Sequence, residues 1–228
     1  MRIWPLAAAD SAAGAEPLYP EVVPHLGALF APAAAQVADH LAAPGLRVLD
    51  VGAGAALWSL AFAARARNCQ VTAGDLPTVL SVTREAVAAA GRNAQYRYQS
   101  GDLFEVVWCR AAYDLVIAGN ICHLFDEAAN RRLLQRLVDA LRPGGRVAIL
   151  DVLPSEHLDG PRPVVLYALG LLLRTARARV YPFSAYVGWL RDAGFQSVER
   201  IDVAAISPIS LILARRPKLS MPQSDSSA

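Results

Sequence analysis

Four side chains stand out for the chemistry they could do: Asp50, Asp75, Asp102 and His123, each placed where a short apolar or β-branched run gives way to a turn. Asp50 opens the richest stretch, "VLDVGAGAALWS" (48–59), which reads as a strand, a turn through Gly52 and Gly54, and a helix from about Ala56. Glycines in such a turn let a ligand approach the backbone. The first N–H groups of the helix offer a positive dipole end that suits a phosphate or a carboxylate. Two details choose between ligands. A dinucleotide fingerprint needs glycine or alanine at its sixth position, and here that position is Leu57. Asp50, moreover, would repel a pyrophosphate but attract an ammonium. A ligand with an amino-acid end carries both a carboxylate and an ammonium, and fits both features.

These residues need a scaffold that gathers them at one edge. Candidate strands lie at 46–51, 69–74, 94–99, 113–119, 145–152, 196–204 and 207–216, and candidate helices at 31–43, 56–67, 77–91, 127–142, 163–176 and 183–193. Strand–helix alternation at this spacing predicts βαβ units, hence an α/β fold with a mostly parallel seven-stranded sheet and helices on both faces. The last two strands are too close for a crossover, so they form a C-terminal antiparallel hairpin. Asp126 is a natural N-cap for the helix that follows it, and Pro143 with Gly144 and Gly145 marks that helix's end. In such a sheet, ligands bind at the carboxyl ends of the strands where the strand order reverses, and all four candidates fall at such ends.

Composition narrows the function classes. The 228 residues are 54% hydrophobic, enough for one full domain with a real core. A net charge of +2 is too mild to argue for a nucleic-acid or anionic-membrane partner, and neither is expected. The longest apolar run, Pro163 to Leu173, is about half of a spanning helix, and the N-terminus is too broken by Pro5 and Asp10 for a signal peptide. Cys69, Cys109 and Cys122 have no ligand-like spacing, which predicts reduced thiols and a cytoplasmic location.

"LDVGAGAA" resembles the first motif of class I S-adenosylmethionine-dependent methyltransferases, with Ala56 at the third glycine position. "GDLP.VL", "GDLFE", "NICHLFDEAANRRLLQRLVDALRPGGRVAILD" and "SLILARRP" resemble the small-molecule O-methyltransferases of the caffeic-acid, acetylserotonin and bacterial natural-product types, over about residues 20–217. The resemblance implies a Rossmann-like methyltransferase sheet and S-adenosylmethionine as cofactor. Asp50, Gly52 and Gly54 would then face the methionine end and Asp75 the ribose hydroxyls. Asp102 would face the adenine amino group, with Leu76 and Leu103 against the ring, and Asn120 would complete the site from the fourth strand. Trp58 either covers the methionine end or packs its helix. An aspartate after a strand also serves as a turn or cap residue, so the order of the set carries more weight than any member. No metal is expected, because Gly119, Asn120 and "DVLP" lack the acids of the metal-dependent catechol type.

His123 aligns with the catalytic base of the resembled family; the alternative is a histidine capping the next helix or packing against Phe125. A phenol near pKa 10 and a free histidine near 6.5 differ by about 3.5 units, roughly 5 kcal/mol uphill, so the proton transfer needs help. Two departures bear on this. Leu124 follows the histidine where plant-type relatives carry aspartate. Ala178 stands where they carry the glutamate that orients the base, which predicts a histidine without a carboxylate partner. His157 lines the acceptor pocket or lies in a solvated loop, and the cluster at 174–179 is an anion site or a solvated helix end. Tyr167, Tyr181 and Phe183 form either a lid or ordinary core.

The resembled enzymes carry a large N-terminal helical domain. Here residues 1–30 are expected to be an extension or reduced lid, 31–217 the cofactor domain and 218–228 a disordered tail. Either the chain supplies its own lid, with homodimerisation possible, or a second polypeptide provides the lost part. The expected function is methyl transfer to a phenol or enol of a small natural-product-like acceptor, with C-methylation also open. The alternative is a cofactor-binding, non-catalytic subunit that completes or regulates a partner methyltransferase. Leu57 and Asp50 disfavour a nicotinamide-dependent dehydrogenase.

Overall fold

Val48 and Leu49 adjoin in sequence and both are fully buried, yet they enter different cores. Successive side chains of a strand point to opposite faces, so a strand apolar at every position must be covered on both sides. That is the architecture of the computed structural model, which describes residues 19–172, 178–203 and 209–218.

The elements in chain order are α1 (Tyr19–Leu41), β1 (Arg47–Val51), α2 (Leu57–Arg65), β2 (Gln70–Asp75), α3 (Pro77–Ala89), β3 (Tyr96–Ser100), β4 (Tyr113–Gly119), α4 (Glu127–Ala140), β5 (Leu141–Val152), α5 (Arg162–Leu172), α6 (Phe183–Asp192), β6 (Gln196–Asp202) and β7 (Ile209–Arg215). The sheet order is β3-β2-β1-β4-β5-β7-β6. Strands β1 to β5 pair in parallel, and β7 runs antiparallel between β5 and β6. The chain steps outward from β1 to β3, then returns to the other side of β1 with β4. The switch point therefore lies between β1 and β4, where Asp50 is opposite Ile117.

On one face Val48, Phe62, Val71 and Leu115 pack with Val37 of α1. On the other, Leu49, Val116 and Ile149 pack against Leu133 and Leu137 of α4 and Trp189 of α6. Asp126 caps α4 as expected, its Oδ1 accepting from the Ala129 N–H at 2.8 Å.

The structure moves several predicted boundaries. Helix α1 begins at Tyr19 and not at 31; prolines at 20, 24 and 32 suppress the helical signal there, since each removes a donor. Strand β3 starts at Tyr96, after a short 3-10 turn over Asn93–Gln95. Strand β5 starts at Leu141, directly after α4, and absorbs the Pro-Gly-Gly segment as a register shift between Tyr113 and Leu115 of β4. The expected continuation of α5 through 173–176, most of the 174–179 cluster, residues 1–18, the β6–β7 connection at 204–208 and the tail from 219 lie outside the described residues. Among the described residues, no helix is long and apolar enough to cross a membrane.

Candidate active site

The loop after β1 turns three times through the left-handed region: Gly52 at φ +68°, Gly54 at +54° and Ala56 at +55°. The alternation folds the loop onto the end of β2, where Gly52 and Ala53 donate N–H bonds to the Gly74 carbonyl at 2.9 and 3.2 Å. A Cβ at Gly52 would also lie 2.1 Å from Ile121 Cδ1, so that side chain would have to shift. Ala56 is the N-cap of α2 but makes no side-chain cap, and the first turn carries no acid. Neither the N-cap nor the first turn therefore supplies an anion of its own to this helix start.

Beneath it lies Asp50, 2% exposed. Burial pushes its carboxyl up to about 7, the Ser59 hydroxyl and amide pull it back, and Asp75 raises it again; no cation contributes. Ser59 is held in turn by the Tyr96 hydroxyl at 3.0 Å. A buried acid with no cation beside it among the described residues, under a helix start, fits a ligand whose ammonium and carboxylate are neighbours.

Asp75 ends β2 and clamps the same loop, its Oδ2 accepting from the Gly54 N–H at 2.9 Å and its Oδ1 from the Leu76 N–H at 2.8 Å. Asp102 is exposed, and its Oδ1 accepts from the Phe104 N–H at 2.7 Å, so it closes its own turn. Leu103 is buried and Leu76 half-buried. Asn120 takes the left-handed conformation at φ +56°, which asparagine tolerates better than most residues. Its Oδ1 accepts from Trp58 Nε1 at 3.1 Å. The Trp58 ring lies on Gly119 so closely that a Cβ there would sit 2.2 Å from Cδ1.

His123 lies on a 3-10 turn, Cys122–Leu124, just beyond β4. It is 5% exposed and Asp151, at the end of β5, is 0% exposed. His123 Nδ1 is 2.7 Å from Asp151 Oδ1, and the His123 main-chain N–H donates to Oδ2 at 3.1 Å. The carboxylate also accepts from the Val152 N–H at 2.8 Å and the Tyr186 hydroxyl at 3.3 Å. An ionised carboxylate only accepts, so opposite one Nδ1 is the donor and a neutral imidazole keeps its lone pair on Nε2. Nε2 faces the Tyr167 hydroxyl of α5 at 3.1 Å. The expectation of a histidine without a carboxylate is therefore corrected: the partner comes from β5, not from the segment at Ala178. That segment does abut the histidine, since the Arg179 N–H donates to the His123 carbonyl at 2.9 Å.

The family model described as an O-methyltransferase domain matches residues 33–196, a stretch that holds the glycine loop, all three aspartates and the His123–Asp151 pair. The chain belongs to the O-methyltransferase domain family. A 3-hydroxy-5-methyl-1-naphthoate 3-O-methyltransferase of Streptomyces sahachiroi is 32% identical over 159 residues, covering 70% of this chain and 46% of that protein. Acetylserotonin O-methyltransferase of Gallus gallus is 31% identical over 156 residues, covering 68% and 44%. An O-methyltransferase family 2 protein of Planctomyces limnophilus, solved in complex with apigenin, superposes with a TM-score of 0.79 at 26% identity, covering 92% of this chain and 62% of that one. The chain spans about half the length of the curated relatives it matches.

Within this O-methyltransferase domain, sequence reasoning missed two supports besides Asp151. Thr83 of α3 donates to the Gly54 carbonyl at 2.6 Å and holds the glycine loop from a third side. Trp108 is buried against Gly74, where a Cβ would lie 2.4 Å from its Cη2. Tyr167 is the member of the aromatic trio that reaches His123. Tyr181 instead bonds the Phe125 carbonyl at 2.8 Å and packs on Trp189, Phe183 joins the same core, and His157 is exposed. One signal was available for Asp151: an aspartate closing the strand next to the one that ends near His123.

Proposed function

We propose that this chain is the cofactor- and base-bearing part of an S-adenosylmethionine-dependent O-methyltransferase that acts on the phenol or enol hydroxyl of a small molecule. The observation that carries the reading is the buried Asp151–His123 pair beside the glycine loop, with Nε2 left as the proton acceptor. When bound, the cofactor supplies a sulfonium methyl group as electrophile.

In this reading the start of α2 holds the methionine carboxylate, and the turn through Gly52 and Gly54 lets it approach the backbone. Asp50 answers the ammonium from below. Asp75 accepts from the ribose hydroxyls, Asp102 from the adenine amino group, and Leu76 and Leu103 cover the ring. Asn120 fixes Trp58 over Gly119 and so shapes the methionine end. His123 takes the acceptor's proton at Nε2, and Asp151 keeps the ring oriented and stabilises the positive charge that the imidazole gains. Since the sheet already fixes these groups, most of the rate advantage comes from positioning.

Asp151 speaks against a non-catalytic subunit so far as that alternative rests on a base without its carboxylate. The outer side of α5, where Leu166, Leu169 and Leu172 are exposed, suits cover by a second copy or a separate helical polypeptide. Mass measurement in solution with and without that polypeptide tests this part. Three free cysteines support a cytoplasmic location.

The main test is incubation with labelled S-adenosylmethionine and a panel of phenols, wild type beside His123→Ala. Label transfer that depends on His123 is expected. Transfer untouched by the substitution, or no calorimetric heat with the cofactor, overturns the reading.

A further inference from the structure

Resting on the reading of His123 as the base, we propose that Tyr167 is the resident occupant of the acceptor's place. A phenolic acceptor enters by displacing it and takes over its contacts.

The geometry is that of an enzyme already holding a phenol. The Tyr167 hydroxyl lies 3.1 Å from His123 Nε2, the one ring nitrogen that Asp151 does not occupy. The tyrosine ring stands edge-on to the imidazole, with centroids 5.5 Å apart and planes at 86°. The His123 side chain is only 6% exposed, and the Tyr167 hydroxyl stands where an external hydroxyl would meet Nε2. An aryl hydroxyl reproduces both contacts, the O–H bond and the edge-on ring. A saturated alcohol reproduces only the first, and as a weaker acid it donates less strongly.

The tyrosine's helix buries little of its own apolar surface, which favours its leaving. On α5, Val164 and Leu171 are buried, whereas Val165, Leu166, Leu169 and Leu172 are 43–63% exposed and Tyr167 itself is half-buried. Local opening of such an element costs little compared with global unfolding. Until then Tyr167 keeps the base dry and its lone pair satisfied.

Tyr167 is thus a positioning residue acting through His123, and its signature is a competition. Tyr167→Phe keeps the ring but removes the competing hydroxyl and leaves Nε2 unpaired. Calorimetric titration of the full chain with 2-naphthol is expected to show binding about three- to ten-fold tighter in Tyr167→Phe than in wild type, the worth of one hydrogen bond. 3-Fluorotyrosine placed at 167, a more acidic competitor, weakens binding about two-fold and serves if the phenylalanine variant does not fold. The saturated counterpart 2-decalol binds both proteins at least about ten-fold more weakly. With turnover, the Tyr167→Phe effect falls on KM more than on kcat.

Equal or weaker binding of 2-naphthol to Tyr167→Phe overturns the proposal, as does equal binding of 2-decalol or no binding of 2-naphthol to either protein. A fall in kcat with KM unchanged overturns it in favour of a proton relay. If label transfer depends on His123 while Tyr167→Phe changes nothing, the function stands and this proposal falls. If the competition appears without methyl transfer, the converse holds.

Discussion

The Asp151 carboxylate holds His123 by both backbone and ring, at 3.1 Å to the main-chain nitrogen and 2.7 Å to Nδ1. One side chain therefore sets the place of the turn and the tautomer of the imidazole. Asp151→Asn keeps the shape but offers a donor as readily as an acceptor, so the tautomer is no longer fixed. We expect kcat to fall by about 10²-fold or more with a modest change in stability. Asp151→Ala also strands buried donors of His123, Val152 and Tyr186 and is expected to cost about 3 kcal/mol. Steady-state kinetics and urea unfolding of the two variants separate these effects.

Asp50 predicts an opposition between stability and binding. Its carboxyl sits at about 7 in the folded protein, against 3.8 ordinarily, chiefly through burial. Between these values the folded state holds a proton that the unfolded state has released. Stability from this group is therefore complete below the lower value, falls as pH rises through the window, and is lost above about 7. Asp50→Asn removes that slope. It is expected to stabilise the ligand-free chain by about 1–4 kcal/mol at pH 8 and by little at pH 4. The same change weakens cofactor binding by at least about ten-fold, because the ammonium loses its counter-charge. Urea titrations at the two pH values, with calorimetry for the cofactor, decide it.

Ala56 sits at φ 55° and ψ 22°, where a Cβ costs about 1–2 kcal/mol. Glycine there relieves that strain but adds about 0.5–1 kcal/mol of chain entropy and gives up a buried methyl worth about 0.8 kcal/mol. The contributions cancel, so Ala56→Gly is expected to change stability by less than about 1 kcal/mol. Ala56→Val, β-branched in the same conformation, should cost more than about 2 kcal/mol. Thermal melts of both variants check the pair.

Gly119 and Trp58 act as one unit. A methyl group at 119 would lie 2.2 Å from Trp58 Cδ1, so the indole must move and its bond to Asn120 must break. Gly119→Ala is expected to cost about 2–3 kcal/mol and to weaken cofactor binding. Trp58→Phe, which loses the N–H donor while keeping a ring, should cost about 1 kcal/mol. Chemical unfolding combined with cofactor titration distinguishes loss of packing from loss of the site.

By itself the sequence determined the layers and the order of the elements. Val48, Leu49 and Val51 could only be a strand buried on both faces, and Asp126 could cap the next helix with no long-range help. The positions of Gly52, Gly54 and Asp75 at one strand edge followed as well, because each depends on contacts close along the chain or on the βαβ rule. Helix α1 was only half legible, since its prolines oppose a helix that packing against α2 and α3 sustains. Tertiary structure alone decided the partners of His123. Asp151 meets His123 across 28 positions because β4 and β5 are neighbours in register, with Gly119 opposite Leu150. Tyr167 meets the other nitrogen from a helix 44 positions away. Local patterning fixes which way a side chain faces along its own strand or helix. Which distant side chain waits there is fixed only when the sheet closes its ranks.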